Sequence, residues 1–180
     1  MDDPTRRRLE AFLLPLYQDL DGASRFEEVE RVARIARSLH APEDARAFEL
    51  LLLFHLLGTW LDKVGNLTRV VLAVGGLTES ELRQTAASIR RLEKPVSADE
   101  RAVAAALLID TAGVRGLAER FGRARREGSS LLDVVREAVA QNWIPEWLPE
   151  AARPWLEARH EVRRAFCRQI LDELQLADRR

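Results

Sequence analysis

The chain has 180 residues, 28 Lys+Arg against 29 Asp+Glu, and a formal net charge of −1. Apolar residues at 47% and charged residues at 32% describe a globular chain, and the near-zero balance supplies no surrounding positive field to hold nucleic acid or an anionic membrane. One cysteine, Cys167, excludes an internal disulfide and is too little for a zinc ribbon or a redox pair.

The N-terminal stretch MDDPTRRRLEAFLLPLY lacks the basic, apolar and small-residue order of a signal peptide. The longest apolar run, around Leu50–Leu57, falls far short of the ~20 residues that span a bilayer. The expected location is therefore the cytoplasm, with no membrane and no nucleic acid among the partners.

Apolar residues recur close to every 3.6 positions, and Gly and Pro fall between the periodic segments, which predicts an all-α chain of about seven or eight helices in one domain, 1–180. Residues 1–22 form the first element, opened by Asp3-Pro4 as N-cap and first helical position and closed by Asp21-Gly22. Ser24 and Glu27 make a capping box for a second helix, with Phe26, Val29, Val32, Ala33, Ile35, Ala36 and Leu39 facing the core. After the break His40-Ala41-Pro42, Glu43 to about Leu57 reads as a central helix, apolar nearly all round beyond Leu50. TRVVLAV, within residues 66–74, has the β-branched content of a strand and reads either way.

Thr78 and Glu81 form a second capping box for a helix to about Leu92. Ser97 caps a long helix running through AVAAALLIDTAGVRGLAERF to Phe121. Arg120, Arg123, Arg125 and Arg126 cluster just before Gly128, where cations offset a helix's negative end or could hold phosphate. Ser129 starts a helix to about Ala140. Residues 142–156 gather three Trp and three Pro into a connector, which either clamps the last helix or presents a partner-binding strip. Residues 156–176 form that last helix, where His160 is expected to pack beside an apolar face of Val162, Phe166, Ile170 and Leu174. Cys167 reads as a buried small hydrophobe.

Over about residues 24–174 the order of elements resembles the HD-domain family of metal-dependent phosphohydrolases, in its small bacterial all-helical subgroup. EEVERVARIAR offers the family's Arg-Val as Arg31-Val32, with Glu28 where a His would stand. FHLLG supplies His55, with Leu56 in place of the following Asp. AALLIDTAGVRGLAERF keeps Asp110, Gly113, Gly116, Ala118 and Phe121, while the two aspartate positions are Ala105 and Leu107. RHEVRRAFCRQIL looks like the subgroup's terminal helix through His160 and Phe166, and Ala87 and Arg91 stand where relatives place additional histidines.

The resemblance implies an HD-like helical bundle that has lost most of its metal ligands, because Leu and Ala offer no lone pair and a catalytic site needs about three protein ligands. The expected protein is a pseudoenzyme, with no catalytic residue, no metal ligand and no cofactor, that binds a ligand or a protein and so regulates. Glu28, His55, Asp62, Lys63, Arg69, Arg91 and Asp110 are the residues expected to contact a ligand. The expected partners are a small anionic ligand, a protein, or a second copy of the chain as a homodimer. The alternative is a nucleotide or phosphoester phosphohydrolase with a divalent metal on relocated ligands. His55 itself reads as an inherited core histidine or as a ligand contact.

Overall fold

The computed structural model describes residues 3–18, 25–57 and 72–177. Every regular element among them is helical. The helices are α1 (Asp3–Gln18), α2 (Arg25–Leu39), α3 (Ala45–Phe54), α4 (Glu79–Arg90), α5 (Ala98–Ala112), α6 (Val114–Glu127), α7 (Leu131–Ala140) and α8 (Arg153–Ala177), with short 3-10 turns at His55–Leu57 and Glu150–Ala152. The contacts divide the chain into two compact units, residues 1–104 and 105–180. The Ser24–Glu27 capping box rests on a residue outside those described. Of the stretch 66–74, residues 72–74 belong to a helical turn, 72–75, and the rest lies outside the described residues.

In the first unit α1 packs on α2, α2 on α3, and α3 on α4. The apolar period places Leu9, Leu13 and Tyr17 of α1 and Val29, Val32, Ala33 and Ala36 of α2 in the core, while Phe48 and Leu50 through Phe54 are buried all round α3. At the polar edge Glu49 of α3 accepts from Arg6 of α1 at 3.0 Å and from Arg37 of α2 at 2.7 Å, so one carboxylate ties three helices. The Tyr17 hydroxyl, on α1, donates to the Leu53 carbonyl near the end of α3, which satisfies a buried phenol and a helix-terminal acceptor together.

In the second unit α6, α7 and α8 pack together around Leu117, Val135, Ala138 and Cys167. The long helix expected from Ser97 to Phe121 is instead two helices, broken at Gly113. Gly116 lets the chain fold back, since a Cβ there would stand 1.8 Å from the Thr111 carbonyl oxygen. A carbonyl freed at the break is satisfied by α8, whose buried Arg163 donates to Ala112 O at 3.1 Å. The same guanidinium donates to Gln141 O at the end of α7. Two helix C-termini thus face one cation, a favourable arrangement for their dipoles.

The buried stripe of α8 is Leu156, His160, Arg163 and Cys167, continued by half-buried Ile170 and Leu171. Val162, Phe166 and Leu174, expected on the inner face, are exposed. In the connector Pro145, Leu148 and Ala152 are buried, while Trp143 is exposed at 59% and Trp155 lies outside on α8. The buried residues of the connector are thus small or aliphatic, and Trp147 is half-buried.

Candidate ligand cleft

A cleft of about 100 Å³ opens in the first unit between α3, α4 and the start of α5. The N-termini of α3 and α5 reach it, and α4 lies along it through Glu81, Gln84, Thr85 and Ser88. Asp44 caps α3, its carboxylate accepting from the backbone N–H groups of Arg46 at 2.9 Å and Ala47 at 3.0 Å. Thr78 and Glu81 form the reciprocal capping box of α4. Ser97 and Glu100 do the same for α5, with Ser97 Oγ accepting from Glu100 N at 3.1 Å and Glu100 accepting from Ser97 N at 3.2 Å. Each first turn carries a partial positive charge and attracts a carboxylate.

The lining is Asp44, Glu81 and Asp99 opposite a single guanidinium, Arg46, with Gln84 and the hydroxyls of Thr85, Ser88 and Ser97 over a floor of Ala47, Leu50 and Leu51. Arg46 is committed to Glu81 at 2.6 Å and to the Gly76 carbonyl at 3.0 Å. The Thr78 backbone N–H and then Arg46 hold the Glu81 carboxyl below the usual carboxylate range. At the rim His40 Nε2 meets Asp99 Oδ1 at 2.7 Å, and the imidazole rests edge-on against Phe48.

The hydroxyls are committed too. Thr85 Oγ1 donates to Glu81 O at 2.9 Å, Ser88 Oγ accepts from Arg91 Nη2 at 3.2 Å, and Ser97 Oγ serves the cap. These hydroxyls bond backbone, Arg91 and Glu100, and the His40 imidazole bonds Asp99.

Of the residues expected to contact a ligand, Arg91 lies beside the cleft and is engaged. Its Nε and Nη2 donate to Glu100 Oε1 at 2.9 and 2.6 Å, which raises its own pKa. Burial opposes ionisation of Glu100, yet the bonds from Arg91, the Val96 and Ser97 N–H groups and Ser88 bring its carboxyl down to about 2.

His55 is buried at the end of α3 in the first unit, and its Nδ1 lies 2.7 Å from Leu52 O. A carbonyl only accepts, so Nδ1 carries a proton. Glu28 is buried on α2, and its charge adds to burial in raising the Tyr17 phenol. In the second unit Asp110 is paired with Arg115, which also bonds Glu119 at 2.7 Å. Asp62, Lys63 and Arg69 lie outside the described residues.

The second unit holds a wider groove of about 560 Å³ between α6 and α7, lined by Arg120, Arg123, Ser129 and Ser130 but also by Glu127, Asp133 and Glu137. Three carboxylates there outnumber the two arginines, which weighs against phosphate.

The residues that sequence reasoning missed are His40, Asp44, Arg46, Asp99 and the α4 side chains Gln84, Thr85 and Ser88. The signal that points to them is indirect: three successive helices begin with an Asp or a capping box. No protein-family model, no curated protein and no solved structure matches this chain.

Proposed function

We propose that this protein works by binding rather than by catalysis, as a cytoplasmic regulatory protein of HD-like descent whose small-molecule position is the cleft between α3, α4 and α5. The observation that carries the reading is that polar groups a catalyst would use are committed to structural bonds. Arg91 is committed to Glu100, Asp110 to Arg115, and the cleft hydroxyls to backbone groups and Arg91. Ala105, at a former aspartate position in the resemblance, is completely buried.

A cavity of about 100 Å³ has room for about three waters or a molecule of a few heavy atoms. Three carboxylates against one paired guanidinium favour a neutral hydrogen-bonding molecule or a small cation there over an anion.

A second reading draws on one observation. With Nδ1–H donated to Leu52 O, His55 holds the tautomer in which a metal-ligating histidine is held by an outer bond to a carbonyl. That favours a divalent metal at Nε2 and phosphoester hydrolysis.

Elemental analysis of protein purified without chelator, together with turnover of p-nitrophenyl phosphate and bis-p-nitrophenyl phosphate in manganese, separates the two. The binding reading expects substoichiometric metal and no turnover above buffer. It further expects native mass spectrometry to show a small co-purifying molecule that is lost in Ser88→Leu, which fills the cleft. Near-stoichiometric metal with turnover abolished by His55→Ala would establish the second reading instead.

A further inference from the structure

The helix α8 has two faces. The inner one carries Leu156, His160, Arg163 and Cys167. Roughly 160° around the axis, at 100° per residue, runs a second stripe with the spacing 3, 4, 3, 4, 3: Trp155, Ala158, Val162, Ala165, Gln169 and Asp172. All six are exposed, Trp155 at 47% and Val162 at 55%, and Phe166 flanks the stripe at 40%. This is the a/d spacing of a helix that pairs with another helix.

We propose that this face is the interface of a homodimer in which two copies of α8 pair antiparallel about a two-fold axis near residues 163 and 164. The charges choose both the partner and the direction. In the antiparallel register that sets Val162 on the partner's Ala165, Ala158 meets the partner's Gln169 and Trp155 the partner's Asp172. The flanking Glu161 then faces the partner's Arg168, and the two-fold makes this pair twice. Arg159 on the opposite flank lies over the partner's Phe166, a cation on a ring face.

Within the chain neither Glu161 nor Arg168 forms an ion pair with a described residue. Their charges are available to a second copy. A parallel pair would instead place Asp172 on the partner's Asp172 in the seam, a like-charge contact. Ala158 and Ala165 leave the seam shallow enough for close helix approach. This surface is separate from the ligand cleft and does not depend on the binding reading.

One helix pair lies at the small end of specific interfaces, so a dissociation constant of about 10 μM is expected. Sedimentation equilibrium over about three decades of concentration measures it for the native chain and for Val162→Glu, Glu161→Arg, Arg168→Glu and the Glu161→Arg/Arg168→Glu double variant. Thermal melts by circular dichroism confirm that each variant folds, as expected for exposed positions. Val162→Glu and each single reversal should weaken the dimer about tenfold or more, and the double reversal should return it to within about threefold of the native value. A chain monomeric throughout overturns the proposal, as does a dimer indifferent to Val162→Glu, or single reversals that the double variant does not rescue.

Discussion

Glu100 is a carboxylate almost completely removed from water and yet held ionised, because four donors reach it within one turn of helix and one arginine. Its folded pKa of about 2 lies below the ordinary 4.5. The unfolded chain therefore binds the proton more readily, and the stabilisation, complete above pH 4.5, is lost as pH falls toward 2. Glu100→Gln should cost about 2–3 kcal/mol at neutral pH and flatten that acid limb, read as urea midpoints at pH 7 and about pH 3. His160 gives a second, separate slope. Burial, then Arg163 and Arg164, push its imidazole below its ordinary 6.5. The native ring stays neutral where the unfolded one takes up a proton, so stability falls as pH drops through 6.5. His160→Phe should remove that part of the slope, and urea midpoints at about pH 7.5 and 5.5 should draw closer together than in the native chain.

The elements show why some features could be read from the residues alone and others could not. The capping box at Thr78–Glu81 and the cap at Ser97 were legible because donor and acceptor lie three residues apart and nothing distant competes. The break at Gly113 was hidden because helical periodicity runs straight through it; what stabilises it is Arg163, 51 residues beyond the Ala112 carbonyl it bonds. The inner face of α8 was misassigned for the same reason. Hydropathy favoured Val162, Phe166 and Leu174, while the buried positions include an arginine whose hydrogen bonds go to two helix ends. Of the candidate site, Arg91 lies beside the cleft and is bonded to Glu100, while the pairing of His40 with Asp99 joins residues 59 apart and has no local mark. Gly116→Ala tests the break directly. Its Cβ would collide with backbone rather than with a flexible side chain, so a loss of more than about 2 kcal/mol is expected in urea unfolding.

At the scale of the whole molecule the charges nearly cancel, and the sequence isoelectric point is 6.3. Solubility should therefore pass through a minimum near pH 6, visible by light scattering across a pH series and eased by salt. Leu56 and Leu107, which replace acids in the resemblance, are half-buried. Leu56→Asp/Leu107→Asp should lower the melting temperature by roughly 5–10 °C, and manganese should not restore it.

Cys167 is the one sulfhydryl in the chain, fully buried, and burial pushes its thiol up against the opposing pull of Arg163 and Arg120. It lies in the core formed with Leu117, Val135 and Ala138. A thiol reagent can reach it only in molecules whose 105–180 unit has opened, so each labelled molecule records one opening event. The protein thereby carries its own clock. Labelling by maleimide should be immediate in strong denaturant and slow in native buffer, and the ratio of the two rates measures the free energy of that opening without any probe added to the chain.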